Sequence, residues 1–238
     1  MQTQPDPKLR SLLVIYSFND SISSIFNNNN ESKGEDMKKI IVVGATGKLG
    51  KEVVEGLEKD YEVIRAGRSG PDLKVDAFDF SSVSDVFASV GSFDGLVSCI
   101  GGTPFKRFEK LTMEDFATGL STKCLSQLNL AKAAIPFLSE NGSITLTSGI
   151  IGDEPILAGA CAAAANGALN MCVSTLAAEY AGKFRINIVS PSIIENSVDY
   201  YGKLFDGFEP TSKESIIHAY RRTISAPITG HVLRLTRS

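Results

Sequence analysis

From Lys38 onward, the apolar positions switch repeatedly between two spacings. In "KKIIVVGA" they run unbroken through β-branched residues and stop at a glycine, which predicts a short strand buried on both faces. In "KLGKEVVEGLEK" they recur at Leu49, Val53, Val54 and Leu57, one stripe of a helical period. The alternation continues: "YEVIRAG" and "LKVDAFD" predict a second and third strand, and "SSVSDVFASV" a helix with serines suited to its cap. "DGLVSCIGG" predicts a fourth strand, "GSITLTSG" a fifth, "RINIVSP" a sixth and "TGHVLRL" a seventh. Between them lie a long helical region, "TMEDFATGLSTKCLSQLNLAKAAIPFL", capped at Thr112 and Asp115, and a long helix, "AGACAAAANGALNMCVSTLAAEYAG". Strands separated by helices and lacking hairpin turns imply parallel βαβ units. The expected fold is α/β: a Rossmann-type, doubly wound, mainly parallel seven-stranded sheet with helices on both faces.

Residues 1–36 break this pattern. They are rich in Asn, Ser and Pro, and the apolar cluster Leu12–Phe18 is short for a signal sequence. They are read as a disordered extension, with residues 37–238 as a single domain. "KGED" before Met37 can be encoded by a purine-rich string of the kind that precedes bacterial start codons, so Met37 is the expected start.

Composition narrows the functional classes. Hydrophobic residues make up 43% and charged residues 21%, enough for a sizeable core. A net charge of -3 argues against a nucleic-acid or anionic-membrane surface as partner. No apolar run approaches the roughly 18 to 20 residues that a membrane helix needs. Cys99, Cys124, Cys161 and Cys172 form no metal-ligand spacing with His218 and His231, so free thiols in a reducing, cytoplasmic setting and no metal are expected.

"VVGATGKLG" sets Gly44, Gly47 and Gly50 between a strand and a helix. That context suits a phosphate cradle: a tight turn, a close backbone approach and the free N–H groups of a helix start. Thr46, Lys48 and Leu49 complete the loop. NAD-binding sites of this type end the second strand in a carboxylate that holds the ribose. Here Arg68 and Ser69 follow that strand, and Lys48 is a second cation in the loop, which favours NADP (NADPH) over NAD.

With these residues in view, the chain resembles the short-chain dehydrogenase/reductase family from Lys38 to Leu235. "GATGKLG" stands where that family has its glycine loop, with Lys48 for the middle glycine. "SCIGG", with Ile100 and Gly101, looks like its Asn-Asn-Ala-Gly turn. Asp79, followed by Phe80, looks like its adenine-binding aspartate. Ser148 matches its active-site serine, and "RINIVSPS" matches its Arg-x-Asn-x-x-x-Pro-Gly segment, placing Pro191 and Ser192 at the cofactor. The resemblance implies a nicotinamide cofactor, carbonyl–alcohol chemistry and a homodimer or homotetramer.

The family's Tyr-x-x-x-Lys pair is missing: the alignment puts Ala162 at the tyrosine and Asn166 at the lysine. Counting back from Pro136 puts Lys123 where the family's relay asparagine stands. The two types have exchanged helices, or Lys123 is a surface charge and Asn166 a remnant. A desolvated lysine can serve as an acid. Tyr200 or Tyr201 in "SVDYYGKLF" could reach over the nicotinamide or merely line the pocket; Tyr201 is the candidate. The expected catalytic set is Ser148, Lys123, Asn166 and Tyr201.

The expected function is an NADPH-dependent reductase of a small carbonyl compound, with no nucleic-acid or membrane partner. The alternative is a non-catalytic NADP(H)-binding redox sensor or scaffold. An epimerase or dehydratase of the extended relatives lacks the chain length for a substrate domain.

Overall fold

The computed structural model describes residues 37–236; the readings of residues 1–36 lie outside the described residues. The strands are β1 (Lys39–Val43), β2 (Glu62–Gly67), β3 (Leu73–Lys74), β4 (Phe93–Ser98), β5 (Leu138–Thr147), β6 (Arg185–Pro191) and β7 (Val232–Leu235). They form one seven-stranded sheet in the order β3-β2-β1-β4-β5-β6-β7. Every pairing is parallel. The expected doubly wound architecture is therefore present and fully parallel.

The alternation along β1 explains the layers. Successive side chains of a strand point to opposite faces. Ile40 and Val42 face one helical layer, with Val53 and Leu57 of α1 (Lys48–Leu57) and Ile216 and Tyr220 of α7 (Lys213–Ser225). Ile41 and Val43 face the other, with Val83 and Phe87 of α2 (Phe80–Val90), Leu130 of α4 (Ser126–Ala134) and Leu169 and Val173 of α5 (Ala160–Glu179). A sheet covered on both faces has no polar side, which is why "KIIVV" reads as an unbroken apolar run.

Three departures from the sequence reading matter. The long helical region is broken. α3 (Met113–Leu120) gives way to a π-turn at Ser121–Leu125 before α4 begins, and Leu138 already belongs to β5. Thr112 and Asp115 do form the reciprocal capping box expected of them. The one-turn α6 (Val198–Tyr201) and α7 are absent from the pattern reading, although Ser212 caps α7 and its Ile216, Ala219, Tyr220 and Thr223 recur at helical spacing. Finally, α5 is 20 residues long with a mean hydropathy of 1.2 over its best window, so one helix does reach membrane-spanning length and composition. Its alanines raise the hydropathy, and Cys161, Ala165, Leu169 and Val173 are buried in the protein interior.

From β1 the chain winds outward to β3, then returns to place β4 on the other side of β1. The crevice at the carboxyl ends of β1 and β4 is the switch point at which open α/β sheets bind ligands.

Candidate active site

Along that crevice runs a groove of two adjoining cavities, of about 410 and 280 Å³, that share Gly101 and Gly102. The first is lined by Gly44, Thr46, Gly47, Arg68, Ser69, Asp76, Phe78, Ile100 and Thr122, among others.

The glycine loop is shaped by close approach. Gly44 has φ +87°, and a Cβ there would lie 2.8 Å from the Cys99 carbonyl oxygen. A Cβ at Gly50 would run into the Gly44 carbonyl oxygen. Gly47 is the N-cap of α1 and offers no side chain to its first turn, which holds no acidic residue. The open N–H groups and positive end of that helix face the groove, as a phosphate requires.

Arg68 and Ser69 stand exposed at the groove wall beyond β2. The nearby Asp72 is held by Arg65, at 2.8 Å to both Nε and Nη2. Lys48 does not join Arg68. Its ammonium donates to the Asn196 carbonyl at 3.0 Å and lies 4.0 Å from the Tyr200 ring centroid. Asn196 in turn donates to Glu52 at 2.6 Å. Lys48 therefore latches the glycine-loop helix to the segment after β6.

The carboxylate at this wall differs from the sequence reading. Asp79 caps α2, accepting from the Ser82 N–H at 3.1 Å, and Phe80 is the first residue of that helix; neither lines the groove. Asp76 and the 54% exposed Phe78 do. A carboxylate and an open ring are what an adenine amine and its stacking face need. The missed signal was the helix start: in "DAFDFSS" the second aspartate is consumed as an N-cap, leaving the first.

The second cavity holds the candidate chemistry. Leu49, Lys123, Ser148, Ala162, Asn166, Pro191, Ser192 and Tyr201 all line it. Lys123, on the π-turn, and Asn166, on α5, thus meet Ser148 just beyond β5 in one chamber. Tyr201 packs on Phe105 at 5.6 Å between ring centroids, whereas Tyr200 is 77% exposed beneath Lys48.

The polar groups in this chamber are unfinished. Ser148 Oγ, Ser192 Oγ and Asn166 Oδ1 are buried without a hydrogen-bond partner. Such groups are costly unless something completes them. Among the described residues, the Lys123 ammonium makes no hydrogen bond and no ion pair. Burial lowers its pKa to about 8. The same burial pushes Cys99 up to about 12, so that thiol stays neutral. The apolar walls are Phe105, Ile150, Ile151, Ile193 and Phe205.

A dinucleotide fits this groove on the structure's own terms. A glycine cradle opens on a helix start, an aspartate and open ring lie at one end, and unpartnered hydroxyls and an amide at the other.

A protein-family model described as enoyl-(acyl carrier protein) reductase matches residues 38–225. A tropinone reductase homolog from Datura stramonium is 32% identical over 184 residues, covering 66% of this chain and 69% of that one. The solved structure of the Listeria innocua protein lin1944 superposes with a TM-score of 0.80 at 38% identity, covering 83% of this chain and 99% of that one. A small-chain dehydrogenase solved in complex with NADPH gives a TM-score of 0.75 at 25% identity, covering 84% and 97%.

Proposed function

The chain belongs to the short-chain dehydrogenase/reductase family and is an oxidoreductase of that type with a nicotinamide-cofactor fold; from that premise we propose that it uses NADPH to reduce a small carbonyl compound, with Lys123 as the proton donor. One observation carries the reading: the ammonium of the half-buried Lys123, which has no hydrogen-bond partner among the described residues, shares a chamber with the unpartnered Ser148 hydroxyl and Asn166 Oδ1.

In this reading Gly44, Thr46, Gly47 and Gly50 hold the diphosphate, and Arg68 with Ser69 holds a 2′-phosphate. Arg68 supports NADP over NAD because a guanidinium pairs with phosphate, while Asp72, further along the loop after β2, is held by Arg65. Asp76 accepts from the adenine amine and Phe78 stacks on the base. When bound, the nicotinamide supplies the hydride. Ser148 Oγ donates to the substrate oxygen. Asn166 orients the ribose hydroxyls that the family's lysine would hold. Lys123 gives its proton to the substrate oxygen as charge develops there. A lysine with a pKa of about 8 is a stronger acid than an ordinary lysine and still holds its proton at neutral pH. Phe105, Ile151 and Phe205 exclude water and select an apolar substrate body.

Ala162 supports a second reading, a non-catalytic NADP(H) sensor, because a methyl group stands where the family places its acid. Both readings expect an NADPH fluorescence change on binding. Only the first expects NADPH oxidation with an aldehyde, ketone or quinone. Tight NADPH binding with no oxidation across such a panel removes the reductase reading.

An oligomer belongs to the same proposal. The outer faces of α4 and α5 leave an apolar cleft of about 440 Å³ that includes Leu128, Met171 and Leu176, suited to a second copy of the chain. A monomer by light scattering rules this out.

A further inference from the structure

The segment that carries Lys123 is not α-helical at that point. In the π-turn the Ser126 N–H reaches back to the Ser121 carbonyl. An α-helix would instead pair the Ser126 N–H with the Thr122 carbonyl, which here accepts from Ser126 Oγ at 2.8 Å. One residue on, the Gln127 side chain holds the same turn: its Nε2 donates to the Lys123 carbonyl at 2.7 Å. The same Nε2 donates to the Thr147 carbonyl at 2.8 Å, and its Oε1 accepts the Thr147 N–H at 2.9 Å.

Gln127 is fully buried, and Thr147 ends β5 next to Ser148. The register of β4 with β5 ends at Val97↔Thr145, so the Thr147 backbone has no β4 partner, and only its hydroxyl reaches the Ser98 carbonyl. The carboxamide of Gln127 fills that place, behaving as one more peptide group of β4. Its two ends thereby join the lysine's helix to the serine's strand. Lys123 is further fixed by Gly101, where a Cβ would lie 2.6 Å from Lys123 Cδ, and by Thr122, whose hydroxyl donates to the Gly102 carbonyl at 2.5 Å.

We propose that Gln127 is a positioning residue that holds Lys123 and Ser148 in one register, so that the ammonium and the hydroxyl address the same substrate oxygen. The proposal rests on the roles given above to Lys123 and Ser148. It concerns a clamp behind the site, not a group that touches substrate.

The titratable groups facing Lys123 are Cys99, which stays neutral, and Tyr201 across the chamber; Tyr220 lies beyond Cys99, and burial raises its pKa as well. The titration of Lys123 therefore reports its own surroundings. It is read without turnover, from the pH dependence of competitive acetylation followed by mass spectrometry on the full chain. The wild-type midpoint is expected near 8. In Gln127→Met the side chain keeps its bulk but loses three hydrogen bonds. Its Lys123 midpoint is expected to rise toward 10.5, kcat to fall by about tenfold or more, and the NADPH Kd to stay within about twofold. In a Lys123→Met background the same substitution should cost no further kcat. A folded Gln127→Met protein with an unmoved Lys123 titration overturns the proposal, and so does an equal kcat loss in both backgrounds.

If Gln127→Met does not fold, Gln127→Glu decides. Its protonated acid keeps one donor and one acceptor, so Lys123 should titrate as in wild type at low pH and depart as the acid ionises; a wild-type profile throughout overturns the proposal. If no carbonyl is reduced at all, the reductase reading fails while the acetylation readout still tests the clamp.

Discussion

The two cavities of the groove are built by different means. At the phosphate end, function lies in what is absent: Gly44 and Gly50 have no side chains where a Cβ would strike backbone, and Gly47 leaves a helix start uncapped. At the end proposed for the nicotinamide, polar atoms stand buried without partners: Ser148 Oγ, Ser192 Oγ and Asn166 Oδ1, in the cavity that Lys123 also lines. The first device costs little stability and tolerates no substitution. The second is destabilising by construction, because a desolvated ammonium and orphan hydroxyls weaken the fold that holds them. On the proposed reading, binding chemistry and proton chemistry are thus separable on one sheet edge.

That contrast is broken most strongly at Lys123. Lys123→Met should lower kcat by about 100-fold or more while leaving the NADPH Kd nearly unchanged, as steady-state rates with fluorescence titration will show. Wild-type turnover in this variant would return Lys123 to the status of a helix charge. The proton-donor role also sets the pH profile, with reduction falling as pH rises through about 8.

Stability should move the opposite way. The Lys123 proton is held less tightly in the folded chain than in the unfolded one, so between about 8 and 10.5 the unfolded chain binds more protons. Stability of the cofactor-free protein should rise with pH across that window, and Lys123→Met should raise Tm at neutral pH. A lower Tm for the variant would mean that the ammonium is satisfied by a partner.

The phosphate end is expected to respond inversely. Gly50→Val places a side chain against the Gly44 carbonyl, so NADPH affinity should drop by about 100-fold, with Tm falling as well. Calorimetric titration measures the first and a thermal melt the second.

Arg68→Ala sharpens the comparison within the phosphate end. It should weaken NADPH binding by about tenfold and leave NADH unaffected. An equal loss for both cofactors would place Arg68 at the diphosphate instead. The smallest effect belongs to Lys48→Met, which removes the contacts to Asn196 and Tyr200. NADPH release should quicken about threefold in stopped-flow fluorescence, with kcat changed only if release limits it.

Most of the fold was legible in local pattern: the strands and α1 in their apolar spacing, α2 in the serines at its start, and α5 as a long alanine-rich helix. α7 was equally legible at Ser212 and Ile216 to Thr223 and was passed over. The π-turn was not legible, since "STKCL" carries no signal that separates it from an α-helix. At the site, alignment to a family pattern located Ser148, Ala162, Asn166 and Lys123, and all four line one cavity. It pointed to Asp79 where Asp76 lines the cavity, because the two are chemically identical and only the start of α2 decides which is spent as a cap. It also read Lys48 as a phosphate cation, since sequence gives the charge of a long side chain but not its direction.

The sequence by itself determined the parallel α/β architecture and the strand–glycine–helix turn. These depend on local spacing and residue identity, which one dimension records. Only the tertiary structure decided that Lys123 and Asn166 face one chamber, that Ser148, Ser192 and Asn166 are left without partners, and that Gln127 completes the end of β5. Those facts depend on which groups from distant segments meet and which do not. Burial changes the free energy of a charge or hydroxyl only once the whole fold has excluded water from it.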